Sequence, residues 1–434
     1  MVKYIIGITL SILLLGCMGN EPVSVDDAKG LLAEKKATGK TVVTPLVRQF
    51  LLDPEISRLV FVKNESQLQL DLLLADLEPM VTASSSAGAI AGDDNELSGS
   101  VQVNLSKDAD LNNLFVVKKD IIKNDGAINN IQLMQAINVK LHVIFDALNM
   151  HTTSSRKLEI IRQGLDEYSS VKSLIDTTRQ IGAMSKGQYL KIQSQLNDIE
   201  MNRELLQLQK DSAEVTLDIE LGENFKRFMP GFKDGLTRIN QASLDNSFDE
   251  SILALNKAIV ANIDNNIVIE KKSKLWNGAY RASLSSVLGD DVGGFLGINL
   301  TKPLYDAGRS EGRIAVLQNK RLQAETETKT VKKTVSLAFG SLEASQKINK
   351  AQITLVNEKL ANLLEIRDDL KVRQNSGKAQ LEEVAQNTLD IANAKIQAIS
   401  LDSVLLKSKL DYVLLQQRAY EYILTENEIA QIKK

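Results

Sequence analysis

The residues able to do chemistry in this chain are few and poorly spaced for it. His142 and His151 are the only histidines and Cys17 is the only cysteine. Nine positions apart on a helix, the two imidazoles do not share one ligand face as an i, i+4 pair would. A His/Cys zinc site, a Cys/His dyad and a disulfide framework are all out of reach. No GxxxxGK[ST], HExxH or GxSxG pattern occurs, so hydrolysis of nucleotide, peptide or ester has no visible machinery. Neighbouring carboxylates such as Glu382 and Glu383, or Asp368 and Asp369, fall on long charged stretches and read as solvated helix faces. The expectation is a protein that is not an enzyme and needs no cofactor or metal. With 52 Lys+Arg against 55 Asp+Glu, a net charge of −3 and no long basic run, nucleic acid is not an expected partner.

Cys17 gains meaning from what precedes it. Met1 to Gly16 carries one positive charge, Lys3, and then an apolar run from Tyr4 to Leu15 that is too short to span a bilayer, which reads as a signal peptide over 1–16. Leu14-Leu15-Gly16-Cys17 resembles the bacterial lipobox. That resemblance implies cleavage before Cys17, its lipidation and, because Met18 rather than Asp follows, sorting to the outer membrane. Acyl chains would anchor the protein at roughly 0.8 kcal/mol per buried CH₂.

The elements that must carry any function are long. Only 24 glycines and 6 prolines occur in 434 residues, well under the roughly 12% usual for the two together. Two Gly/Ser-rich stretches, 79–107 and 279–302, break this pattern with period-two alternation: Val101, Val103 and Leu105 against Gln102, Asn104 and Ser106, and Leu296, Ile298 and Leu300 against Gly297, Asn299 and Thr301. Val103-Asn104-Leu105-Ser106-Lys107 and Ile298-Asn299-Leu300-Thr301-Lys302 lie 195 residues apart, which points to a duplication of two β-hairpins. Each hairpin precedes a helical hairpin. In the first, Ile137, Leu141, Ile144 and Leu148, then Leu158, Ile161 and Leu165, recur at three- and four-residue steps within a tract from Ile128 to Ile181. It stops at Gly182 and resumes near Lys186. In the second, Ala307 to Gln374 carries Val331, Val335, Leu342, Ile366 and Leu370, breaks at Asn375-Ser376-Gly377, and continues from Leu381 to about Ile432. The expected order is therefore a lipidated N-terminus and first helices (17–78), first hairpin (79–107), first helical hairpin (108–219), a compact non-coiled segment (220–251), a helix (252–278), second hairpin (279–302), and second helical hairpin with the C-terminus (303–434).

This pattern resembles the TolC-type outer-membrane channel family of efflux pumps and type I secretion systems over most of the mature sequence. Asp53-Pro54-Glu55-Ile56 is similar to the family's start of its first long helix, and Gly182-Ala183-Met184-Ser185-Lys186 to its first periplasmic turn. Leu300 to Arg309, containing Pro303, Tyr305, Gly308 and Arg309, resembles the strand-to-helix crossing. Arg373 to Gly377, followed by Leu381 to Val384, resembles the second turn. The resemblance implies a mainly α protein with a small β part. Duplicated helical hairpins would form a periplasmic tube in a homotrimer, and four strands per protomer would complete a shared twelve-stranded membrane barrel. It also implies partners: a periplasmic adaptor, an inner-membrane transporter and outer-membrane lipid. Candidate pore-gate residues are Gly182, Ser185, Lys186, Gly377, Glu383 and Gln386. Gln386 stands where family members often carry an Asp ring, and Glu383, one turn earlier, keeps a carboxylate. The first crossing, Asp108 to Leu111, lacks the Pro and Gly-Arg of the second. A periplasmic adaptor lipoprotein and a structural coiled-coil lipoprotein are the rival readings. The adaptor predicts one helical hairpin rather than two.

Overall fold

The computed structural model describes residues 44–433 apart from 77, 90–96, 183, 224, 243–252, 288–291, 305 and 377–379. The signal peptide and Cys17 lie outside the described residues, as do Gly377 and Tyr305. Backbone contacts divide the chain into Met1–Arg48 and Gln49–Lys434. A short helix, α1 (Pro45–Leu51), crosses that boundary, and the second unit holds the rest of the described elements.

The order is α2 (Pro54–Ala75), β1 (Met80–Ala89), β2 (Leu97–Ala109), α3 (Leu114–Gln180), α4 (Lys186–Leu221), α5 (Met229–Gln241), α6 (Ala254–Lys272), β3 (Asn277–Val287), β4 (Val292–Thr301), α7 (Arg309–Asn375), α8 (Leu381–Leu415) and α9 (Glu426–Lys433). The duplication is visible in the lengths. Helices α3 and α7 have 67 residues each, about 100 Å, while α4 and α8 have 36 and 35. Among the described residues no helix is long and apolar enough to cross a membrane.

Helix α3 is the spine. At its start it lies between α2 and α6, with α7 beyond α6; further along it lies between α4 and α8, with α7 beyond α8. The spacing read from the sequence explains this, because Leu133, Ile137, Leu141, Ile144 and Leu148 are fully buried on one stripe. Toward the far end, Ile161, Val171 and Ile175 pack with Ile192, Leu196 and Leu389, and Leu158 and Leu165 flank that cluster. Gly164 permits the close approach of α8, since a Cβ there would lie 3.1 Å from that of Ala392. Ile366, by contrast, is exposed rather than part of a core stripe. Among the described residues helix α7 lies at the edge of the helical layer and packs against α6 and α8.

Three local features fix the joints. Pro54 opens α2, and Asp53 caps it by accepting from the amides of Glu55 (3.0 Å) and Ile56 (3.2 Å). Asp53 also meets Lys140 Nζ of α3 at 2.7 Å, and the same ammonium reaches Glu220, near the end of α4, at 2.8 Å. The segment 220–251, expected to be non-coiled, holds the 13-residue helix α5, whose Phe232 meets Phe145 edge-on at 5.7 Å. The last helix expected to run to about Ile432 instead ends at Leu415. Gln417 adopts a left-handed conformation (φ 56°), and buried Asn138 holds both sides of the break, donating to the Gln417 carbonyl (2.7 Å) and accepting from Tyr420 N (3.2 Å). The break is paid for by a tertiary contact 279 residues away in sequence, which local periodicity does not register.

Candidate functional site

Among the described residues the four strands form one antiparallel sheet in the order β1-β2-β3-β4, so β1 and β4 each present an edge with no partner there. The register places Val81, Leu105 and Ala282 in one row and Val103, Leu284 and Gly294 in another, all on one face. That face is apolar and uncovered: Leu284 is 60% and Leu296 86% exposed. The opposite face carries Thr82, Gln102, Asn104, Ser283 and Asn299. A soluble sheet buries its apolar face, and strands of 10 to 13 residues match the 9–11 needed to cross a bilayer at a tilt.

The joints from sheet to helix are built alike in both repeats despite their different sequences. At the second, Asp306 accepts from Gly308 N (3.0 Å) and Ser310 N (3.1 Å), and Ala307 and Gly308 are left-handed. The Ser310 amide foremost holds the Asp306 carboxyl below the usual carboxylate range. At the first, Asp110 accepts from Leu114 N (2.6 Å) and Phe115 N (3.0 Å), and Asn113 supplies the left-handed residue (φ 51°). The absence of Pro and Gly-Arg there is offset by an Asp and an Asn, two residues suited to these roles.

At the other end of the long helices are the two turns. Gly182 is left-handed (φ 74°), where a Cβ would meet nothing within 4 Å among the described residues beyond its chain neighbours, and Ser185 forms a reciprocal cap with Gln188 that starts α4. Lys186 is the exposed first residue of α4. In the second turn, Glu383 of α8 accepts from Arg373 of α7 at 3.0 Å, and Arg373 also lies 3.8 Å from Asp369. Gln386 donates to Asp390 at 3.1 Å. Buried Asn387 donates to the Leu363 carbonyl at 3.0 Å, tying the two helices together. These side chains line an open groove of about 640 Å³ whose charged residues are Glu365, Asp369, Glu383 and Asp390 against Arg373. The two turns belong to one region, since Met184 packs into the same buried cluster as Ala385 and Leu389.

The structure therefore groups Glu383 and Gln386, with Gly182 and Ser185 beside them. It places Pro303, Gly308 and Arg309 at the sheet end: Pro303 and Arg309 are exposed, and Gly308 provides the helix start. Sequence reasoning passed over Arg373 and Asp390 as site residues. The signals were present, since a cation in the last turn of α7 faces an anion in the first turn of α8, and Asp390 sits four residues after Gln386.

No protein-family profile matches the sequence, and no curated protein sequence does. Among solved structures the chain is similar to CusC, described for conformational changes accompanying folding and transmembrane channel formation, at 12% identity and a TM-score of 0.69 over 86% of this chain and 91% of that one. It is similar to the CmeC outer membrane channel of Campylobacter jejuni at 14% identity and TM-score 0.62, covering 90% and 88%. The open-state MtrE outer membrane channel of Neisseria gonorrhoeae gives 12% and 0.61, covering 85% and 88%. At such identities the likeness is one of fold. The chain has the mainly helical fold of these channels, with duplicated hairpins and a four-stranded sheet.

Proposed function

We propose that the chain is one protomer of a homotrimeric, TolC-type outer-membrane channel, a passive conduit for export supplied by a periplasmic adaptor and an inner-membrane transporter. The observation that carries this reading is a four-stranded sheet whose apolar face and both edges are uncovered among the described residues. In lipid an unpaired strand edge leaves backbone groups unsatisfied, and four strands cannot close a barrel; three copies give twelve and remove every edge. The helices suit assembly side by side. On α4, Met201, Leu205, Leu208, Val215 and Ile219 form an exposed stripe at steps of three, four and seven residues. On α7, Leu337, Ile348 and Leu355 form another, and α4 and α7 are the two flanks of the helical layer. Stripes on opposite flanks suit a head-to-tail ring of protomers packed like coiled coils. Cys17, as a lipidated N-terminus, adds an anchor in the same membrane. Two helical hairpins and the membrane-crossing sheet weigh against the adaptor reading.

Electron microscopy of the detergent-extracted, full-length protein tests the proposal. A three-fold hollow tube of about 130 Å, from 67-residue helices and a barrel of about 30 Å, is the expected result. Compact monomers or solid rods would overturn it.

In such a trimer the turn region forms the periplasmic entrance, and its excess of carboxylates makes it favour cations. Glu383→Gln and Asp390→Asn are each expected to lower cation preference, read as the reversal potential of reconstituted channels under a salt gradient. Unchanged potentials in both would remove these residues from the entrance.

A further inference from the structure

One aromatic residue stands on the wrong side of the sheet. Phe295 pairs with Ser283 and shares the polar face with Gln102, Asn104 and Thr82, whereas Leu284, Leu296 and Ile298 point the other way. No apolar packing on that face accounts for it, and the residue is 62% exposed. Its ring is directed along the strand over Gly297: a Cβ on Gly297 would meet Phe295 Cζ at 2.5 Å and Cε1 at 3.0 Å. The glycine is thus the seat of the ring, and any side chain there would displace it. Directly opposite Gly297 is Arg281. Opposed residues in an antiparallel pair have Cβ atoms about 5 Å apart, so the arginine stem rises beside the outer end of the ring. Asp108, opposite Ala279, is one pair nearer the helices on the same face, and among the described residues it makes no ion pair with Arg281.

We propose that Phe295 and Arg281, repeated three times around the barrel, form an internal collar that binds planar aromatic anions in transit. This rests on the channel reading above, in which the polar face lines the lumen. The chemistry is that of a flat apolar surface beside a guanidinium: the ring stacks on an aromatic plane, and the arginine holds its negative group and can lie on its face. Apart from Asp108, whose charge has the wrong sign to hold an anion, the face elsewhere presents small or uncharged side chains such as Ser283, Ser285 and Gly293, which offer neither function.

The test is single-channel recording from the full-length protein in planar bilayers, with pyrene-1-sulfonate added on the barrel side and methanesulfonate as the non-aromatic anion. Pyrenesulfonate should block wild-type current and methanesulfonate should not. Phe295→Ser and Arg281→Gln should each raise the half-blocking concentration about 5- to 10-fold. Gly297→Ala, which alters no charge and no ring but unseats the ring, should also weaken block. Conducting wild-type channels that pyrenesulfonate does not block, or block equal in Phe295→Ser and Arg281→Gln to that in wild type, would overturn the collar alone. A wild-type protein that forms no channel would overturn the channel reading, and the collar with it.

Discussion

Leu284→Arg is expected to abolish trimer assembly in the outer membrane, while Ser283→Arg, one residue away, is expected to leave it near wild-type level. Leu284 lies mid-strand in β3, on the apolar face beside Val103, and is 60% exposed in the protomer. If that face meets lipid, an arginine near the bilayer midplane costs about 2–4 kcal/mol per copy, and three-fold symmetry triples it. Marginal folding free energies of roughly 5–15 kcal/mol leave little room for such a loss. Ser283 points to the polar face with Gln102 and Asn104, where a charge stays hydrated. The readout is the amount of heat-labile trimer in purified outer membranes. Equal yields for the two variants would show that the apolar face does not contact lipid. A reversed order would show that the faces are exchanged.

This pair of neighbours also marks how far the sequence could be read. Alternation at Val101, Val103 and Leu105 revealed a two-faced strand because the period of two is intrinsic to the backbone. The same period, carried back from Leu296, Ile298 and Leu300, puts Phe295 with Gly297, Asn299 and Thr301 on the polar face, and its pairing with Ser283 agrees; what the period could not show was that its ring lies over Gly297. Helical stripes were legible for a similar reason: Ile137, Leu141, Ile144 and Leu148 follow 3.6-residue geometry, and all four are buried. The start of α3 at Leu114 was not legible, since Lys118, Lys119, Asp120 and Gly126 blur the apolar period there. In the candidate site, Glu383 and Gln386 were found through their place after a turn. Their partners Arg373 and Asp390 emerged only when geometry paired them. The first crossing does lack the Pro and Gly-Arg of its counterpart, and its likeness was not legible because the repeat keeps roles rather than residue types: Asp110 caps as Asp306 does, and Asn113 turns as Gly308 does.

The second large effect falls on the joint that ties α2, α3 and α4. Lys140, with its side chain only 10% exposed, bridges Asp53 at 2.7 Å and Glu220 at 2.8 Å. Removing the ammonium as Lys140→Met keeps the aliphatic stem but leaves two half-buried carboxylates facing each other. Breaking one partner of a buried pair costs about 3–5 kcal/mol; with the carboxylates about a quarter exposed, a loss of about 2–3 kcal/mol is expected. Restoring neutrality in Lys140→Met/Asp53→Asn/Glu220→Gln should recover most of it. The pH dependence follows from the two shifts. Burial acts to raise the Asp53 carboxyl, but the Lys140 ammonium and the amides of Ile56 and Glu55 outweigh it and hold it below its ordinary value. Burial likewise acts to lower the Lys140 ammonium, and Asp53 and Glu220 overcome it and hold it above its ordinary value. A lowered carboxyl stabilises the fold above its unfolded pKa of about 3.9, and the gain disappears as pH falls through the folded value. A raised ammonium stabilises below about 10.4, and that gain disappears as pH rises through its folded value. Helical circular dichroism during thermal unfolding of wild type and Lys140→Met should therefore show a constant gap between about pH 5 and 9 that closes in acid, as pH falls through the folded value of Asp53. A gap that persists unchanged into acid would assign the loss to packing of the lysine stem instead of its charge.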